Sequence, residues 1–172
     1  MRLPITLRIP VLAILIAIAA GATYLHWRLA ADKSRTIEFG GAIIGGSTAI
    51  YALLLNQQGR RASSAAEFIK RWNNPDFGSY RAAVGEVLAS NSISTKNLES
   101  IRMLLGFFEE ISIAILRKEA DEALLRDFFW TVGVRLSVAA KPWIDQRRAD
   151  NHQPTLFVEY EKVYARWQVK GT

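Results

Sequence analysis

The chain of 172 residues contains no cysteine. This absence excludes disulfide bonds, thiolate zinc sites, iron–sulfur clusters and a cysteine nucleophile. Histidine is almost as scarce, since only His26 and His152 are present. A di-iron helical bundle needs a Glu-x-x-His motif on each of two helices, and neither histidine lies in one. We therefore predict no metal and no other cofactor.

The sequence also lacks a concentration of basic charge. Residues 1–59 carry five Lys and Arg against two Asp and Glu, and residues 60–172 carry 17 against 14. A nucleic-acid-binding protein concentrates positive charge on one face or along one helix. The nearly balanced larger part therefore predicts that nucleic acid is not a partner.

Signals for strands and for common catalytic loops are missing as well. No stretch alternates between apolar and polar residues with period two, so we expect no β-sheet. The glycines at positions 40–46 lie inside an apolar run rather than in a phosphate-binding loop, and no serine has a nucleophile-elbow context. The pattern that remains is helical, and we predict an all-α chain without catalytic activity.

Two uncharged apolar runs stand near the start of the sequence. Pro10–Trp27 has 18 residues if His26 is neutral, and Phe39–Leu55 has 17, which is near the lower limit for crossing a hydrocarbon core of ~30 Å. We predict a two-span transmembrane hairpin in residues 1–58, followed by a helical-bundle soluble domain in residues 59–172. The bilayer is thus the first expected partner.

The first run has an alternative interpretation as a cleaved signal peptide, because a basic start precedes it and Ala20–Ala22 resembles a cleavage site. In either case the soluble domain would lie in the cytoplasm, at a bacterial inner membrane. The excess of basic residues on that side supports this orientation only weakly.

Small residues recur every four positions in both runs. This spacing lets helix backbones approach closely, which favours pairing where lipid supplies no hydrophobic drive. The predicted helix-packing residues are Ala13, Ala17, Gly21, Gly41, Gly45 and Ala49. Pairing within one hairpin and pairing between two copies of the chain both fit this stripe.

The soluble domain shows several helix boundaries. Asn74 can cap a helix that has Pro75 at its first position. A long helix is expected over about residues 95–118, and Asp121 is expected to cap the next one. Pro142 should kink or end that helix. The pattern of residues 156–167 predicts a last amphipathic helix.

Two short motifs in this region resemble those of a known family. The matching residues are Phe68, Trp72, Asn73, Pro75 and Arg81, then Phe107, Phe108 and Glu109, and more weakly Trp143 with Arg147. The sequence over about residues 40–170 resembles a family of small bacterial proteins that carry a C-terminal domain of unknown function behind one or two membrane spans. The resemblance implies an all-helical, membrane-attached domain, and it implies no activity.

Glu109 and Glu110 are the most conspicuous polar pair in an apolar helix. Neighbours in sequence lie 100° apart on a helix and do not face each other. Glu110 should be solvated, whereas Glu109 falls on the shoulder of the apolar face and needs a partner. Arg81 or Arg135 could supply a two-bond ion pair. A polar binding site and a catalytic acid are the alternatives for Glu109.

These observations predict a membrane-anchored helical interaction or signalling module without catalytic activity. It would act on a protein partner or as a homo-oligomer. One alternative is a membrane effector, whose spans oligomerise or perturb the bilayer when the domain receives a signal. An enzyme that acts on lipids is a further alternative.

Overall fold

The computed structural model describes residues 33–90 and 92–170, together with single helical positions at 17, 20–22, 24 and 28. The chain divides into two compact units, Met1–Gln57 and Gln58–Thr172. This division falls one residue before the expected domain boundary. Every regular element in the described ranges is helical, which confirms the predicted all-α class.

Five α-helices and two short 3₁₀ turns make up the described ranges. The α-helices are α1 Lys33–Asn73, α2 Gly78–Ser90, α3 Leu98–Leu116, α4 Glu122–Asp150 and α5 Val158–Lys170, and the 3₁₀ turns are Pro75–Phe77 and Thr95–Asn97.

Asn74 and Asp121 cap helical turns, as the sequence predicts. The Asn74 side chain accepts a hydrogen bond from the Asp76 N–H at 3.0 Å, although the first turn that it caps is 3₁₀. One Asp121 oxygen accepts from Ala123 N–H at 3.0 Å and from Leu124 N–H at 3.2 Å, at the start of α4. Such caps satisfy backbone donors that have no partner within the helix.

The prediction about Pro142 is wrong in part, because α4 runs past it to Asp150. Proline removes the hydrogen bond to the carbonyl four residues earlier, which here belongs to Val138. Both positions are exposed, so water can reach that carbonyl and the helix can continue. The helix therefore ends at Asp150, well beyond the proline.

No helix in the described ranges is both long enough and apolar enough to cross a membrane. The expected second span, residues 39–55, lies within α1, and the described residues do not support it. The expected first span, residues 10–27, lies outside the described residues except for single positions.

The core of the second unit is built largely from aromatic rings. The Trp72 ring lies 6.0 Å from Phe107, 5.8 Å from Phe108 and 5.5 Å from Phe129 between centroids. Phe108 continues the contact to Tyr164 at 5.6 Å. Because aromatic pairs combine large buried area with preferred tilted geometries, this cluster fixes α1, α3, α4 and α5 of the unit against one another.

Helix α5 packs unusually close to α4 at Gly133. A Cβ atom on Gly133 would lie 1.9 Å from the Cε1 atom of the Tyr164 ring. The Tyr160 hydroxyl donates to the Gly133 carbonyl at 2.8 Å, and both tyrosines are fully buried. Only a residue without a side chain leaves room for the Tyr164 ring here.

Replacing Gly133 with alanine should therefore destabilise the protein. We expect Gly133→Ala to lower the free energy of unfolding by about 1–3 kcal/mol, because overpacking forces side chains or backbone to shift. Urea unfolding of the full chain in detergent, followed by circular dichroism, measures this change.

The matched control is Gly85→Ala in the interior of α2, where a Cβ atom would meet nothing within 4 Å. This variant should gain up to about 1 kcal/mol from helix propensity. Equal effects at the two glycines would contradict the close packing of α5 on α4.

Candidate functional site

Arg81 closes the end of α1. Its Nη1 atom donates to the Trp72 carbonyl and, at 3.1 Å, to the Asn74 carbonyl. The last carbonyls of a helix lack intrahelical partners and carry partial negative charge, so a guanidinium is a suitable partner. Arg81 thus ties the first turn of α2 to the end of α1, and it does not pair with Glu109.

Arg135 has a similar role on α4. Its Nη2 atom donates to the Leu88 carbonyl at 3.1 Å, near the end of α2. The prediction that Arg81 or Arg135 forms an ion pair with Glu109 is therefore wrong for both arginines. The physical reason is that backbone carbonyls at helix ends compete for guanidinium donors, and the apolar pattern of a helix does not reveal them.

The Glu109 carboxylate binds the start of α5 instead. One oxygen accepts from the Glu159 N–H at 3.3 Å and the other accepts from the Tyr160 N–H at 2.5 Å. These are the second and third residues of α5, whose N–H groups have no partner inside the helix. The positive end of the helix dipole favours an anion at this place. Glu109 is thus a cap supplied by another helix.

Burial sets the electrostatics of Glu109. Desolvation raises the pKa of this carboxyl above its ordinary value, and the nearby Glu159 carboxylate adds to the rise. The Tyr160 and Glu159 N–H groups and the Arg148 charge act in the opposite direction, with smaller effect. Glu109 is partly buried, which agrees with a position on the shoulder of the apolar face of α3.

Glu110 lies on the other side of α3 and meets a cation there. Arg71 of α1 donates to its two oxygens at 3.1 and 2.6 Å, and both side chains are about half exposed. The Arg71 guanidinium also lies 4.8 Å from the centre of the Phe107 ring. Glu110 is thus exposed as expected, but it is paired with Arg71 rather than free in solvent.

Two open hollows flank these glutamates on the second unit. The first, of about 520 Å³, is lined by Gly106, Glu109, Glu110, Ile113, Gln153, Thr155, Leu156 and Phe157. The second, of about 450 Å³, is lined by Ser64, Glu67, Phe68, Lys70, Arg71, Asn74 and Glu110. Glu110 belongs to both hollows, so the Arg71–Glu110 pair lies between them.

The two carboxylates bind different helices, since Glu109 accepts hydrogen bonds from the start of α5 and Glu110 pairs with Arg71 of α1. Among the described residues, no group of three or more His, Cys, Asp or Glu could hold a metal ion. The two glutamates therefore supply hydrogen bonds between helices. The two hollows beside them are lined by both polar and apolar side chains.

Two arginines outside the predicted site complete it. One is Arg71 of α1, which pairs with Glu110. Arg148 donates through Nε and Nη2 to the Leu156 carbonyl at 2.9 and 2.6 Å, and Nη2 also lies 2.7 Å from Glu161. These bonds hold the segment before α5. No sequence pattern marks Arg148 as a residue of this site. Arg71 directly precedes Trp72 of the family motif, and this position could have pointed to it.

The residues that carry the family resemblance come together in the second unit. Phe68, Trp72, Phe107 and Phe108 lie in the aromatic cluster, while Arg81 and Glu109 cap helix ends. The weaker pair is also in contact, since the Arg147 guanidinium lies 5.6 Å from the Trp143 ring centre.

The predicted helix-packing residues give less information. Ala17, Gly21 and Ala49 are exposed helical positions, and no atom lies within 4 Å of a Cβ built on Gly21. The helical backbone of α1 includes Gly41 and Gly45, but their surroundings, like Ala13, lie outside what the structure describes. The proposed pairing of the two runs stays a prediction.

Removing the Glu109 cap should destabilise the second unit. We expect Glu109→Ala to lower the free energy of unfolding by about 1–2 kcal/mol, as the loss of a helix N-cap usually does. Glu110→Ala is the matched control and should cost at most about 1 kcal/mol, because exposed ion pairs contribute little. Urea unfolding of the full chain in detergent compares the two variants.

The double variant tests whether Glu109 and Arg81 cap separate helices. Since they share no partner, the effects of Glu109→Ala and Arg81→Ala should add within about 0.5 kcal/mol. A combined loss of stability well below the sum of the two single losses would instead indicate that Glu109 and Arg81 interact as an ion pair.

The raised pKa of Glu109 predicts a pH dependence. The ordinary pKa of a glutamate carboxyl is 4.5, and the pKa of Glu109 in the folded protein is higher. Between these two pH values, Glu109 is still protonated in the folded protein but has lost its proton in the unfolded chain. Stability contributed by the group therefore falls as pH rises through that range. Glu109→Gln removes the titration and serves as the reference.

We expect the stability of the wild type relative to Glu109→Gln to decrease as the pH rises above 4.5, the ordinary pKa of this carboxyl, as linkage requires. Unfolding curves across this range measure the difference. A relative stability that increases with pH would show that hydrogen bonding to α5 outweighs desolvation.

Comparison with known proteins places the chain in a family. The family described as "Domain of unknown function (DUF4760)" matches residues 36–167, which is most of the 172 residues. Neither a curated protein nor a solved structure gives a match. The matched range agrees with the region of about residues 40–170 that carries the family resemblance. The chain therefore belongs to the DUF4760 family.

Proposed function

We propose that this protein is a membrane-anchored helical module that acts through contacts with a protein partner or a second copy, without catalysis. Its N-terminal part, residues 1–58, would form the membrane hairpin. Residues 59–172 would lie in the cytoplasm at a bacterial inner membrane.

One observation carries the proposal. Arg81 and Glu109, which are the charged residues of the two stronger family motifs, direct their hydrogen bonds to backbone groups at the end of α1 and the start of α5. Side chains used in this way stabilise an arrangement of helices. The motif residues thus support a scaffold whose surface, rather than a reactive centre, does the work.

Exposed apolar side chains support both kinds of contact. In the first unit, Ile50, Leu53 and Leu54 on α1 are more than half exposed, and such a stretch favours cover by lipid or by another helix. In the second unit, Met103 and Val138 are at least half exposed. These two residues could contribute to a protein contact.

A membrane effector is the second candidate. The small residues at four-residue spacing in the apolar run 39–55 favour it, because such a face can also join copies of the chain. In that case, induced expression should collapse the membrane potential, whereas an interaction module should leave the potential unchanged.

Reporter fusions to the full chain test the proposed topology. A reporter after Thr172 should be active only in the cytoplasm, and one inserted near Lys33 only outside, because two spans return the chain to its starting side. The protein should also float with membranes. A reversed reporter pattern, or recovery of the chain in the soluble fraction, would refute the proposal.

The pairing of the two runs has its own test. Gly41→Leu with Gly45→Leu should weaken cysteine cross-links engineered between the runs, since large side chains keep backbones apart. Insertion should persist because leucine favours the bilayer. Ser47→Leu is the matched control, because position 47 lies on the opposite side of the helix from the small-residue stripe. Unchanged cross-links in the double variant would show that this face is not the contact.

A further inference from the structure

The turn between α3 and α4 is short and firmly hydrogen-bonded. The Arg117 N–H donates to the Ile113 carbonyl at 2.9 Å, and the Glu119 N–H donates to the Ala114 carbonyl at 2.8 Å. Lys118 has a φ angle of 60°, in the left-handed region, which reverses the chain within a few residues. The turn is therefore ordered rather than a loose loop.

The start of the second unit lies beside this turn. The Asp121 N–H donates to the Arg61 carbonyl at 3.0 Å. Arg60 is exposed, as are Arg117 and Lys118. One end of the unit therefore presents Arg60, Leu116, Arg117 and Lys118, with Arg61 partly buried beside them, and we refer to these five residues as the basic end.

The charge of the basic end is not neutralised by ion pairs. In the described ranges, Arg60, Arg117 and Lys118 take part in no salt bridge, whereas Arg71, Arg102, Arg148 and Arg166 all do.

The acidic groups nearby are Glu119, Asp121 and Glu122. Asp121 caps α4, and Glu122 accepts hydrogen bonds from Arg166 and Trp167. Arg166 forms an ion pair with Glu122. Together with Arg166, the four cations of the basic end outnumber these three carboxylates, so the basic end has an excess of positive charge.

An apolar side chain accompanies this charge. Leu116 is 39% exposed at the last position of α3, directly before Arg117 and Lys118. A leucine next to two cations suits the boundary between headgroups and acyl chains, where apolar burial and attraction to anionic lipid add together.

We propose that the basic end docks on anionic lipid headgroups. The inference rests on the proposed membrane attachment and adds a second contact with the same bilayer. In sequence, Arg60 follows the apolar run 39–55 by five residues, which span at most about 18 Å even when fully extended. A bilayer that holds the run would thus lie within reach of Arg60, and its anionic surface complements the charge.

The absence of cysteine makes the test direct. Ala123→Cys places one fluorescent label at an exposed position in the first turn of α4, close to the basic end. The full chain would be reconstituted in vesicles of phosphatidylcholine alone, or of phosphatidylcholine with phosphatidylglycerol. Quenching of the label by headgroup-labelled lipid reports docking.

We expect stronger quenching with phosphatidylglycerol, and its loss at high salt because ions screen exposed charge. Arg117→Gln with Lys118→Gln should lower the docked-to-undocked ratio about 25-fold, since each basic residue near an anionic surface contributes roughly fivefold. Lys96→Gln with Arg102→Gln removes the same charge from exposed positions elsewhere and should retain docking.

The outcomes separate this inference from the proposed function. A chain that fails to float with either kind of vesicle refutes membrane attachment itself. A chain that floats but shows equal quenching in both vesicles refutes only the lipid contact, as would be seen if an acidic protein were the true occupant. An equal loss of quenching in the control variant also overturns the proposal.

Discussion

Helix ends that are capped from other helices are the constraint on which the second unit depends. Each α-helix leaves N–H groups at its start and carbonyls at its end without partners. In this unit Glu109 of α3 satisfies the start of α5, and Arg81 of α2 satisfies the end of α1. The caps therefore specify where neighbouring helices begin and end, while the aromatic cluster supplies the buried area.

The sequence predicts features whose partners lie within a few residues. Asn74 and Asp121 act on N–H groups two or three residues ahead, so their identity and position are sufficient to recognise them. The apolar periodicity of α3 also places Glu109 on a shoulder and Glu110 outside. These inferences need only helix geometry, and the structure agrees with them.

The sequence does not reveal partners that tertiary packing selects. Glu109 is 50 residues from the Glu159 N–H that it accepts from, and a carboxylate binds arginine and helix N-termini with similar chemistry. Only the position of α5 decides between them. The effect of Pro142 is also not predictable from the sequence alone, because it depends on whether water reaches the Val138 carbonyl. The burial of that carbonyl is set by the fold and not by the neighbouring residues.

The bond from Arg81 to the end of α1 also has a mechanical consequence. Hydrogen bonds to a carbonyl weaken steeply with distance and angle. A twist or axial shift of the last turn of α1 would therefore weaken the bonds from the Arg81 guanidinium. The junction between α1 and α2 would be stiff under small loads and yield abruptly under larger ones.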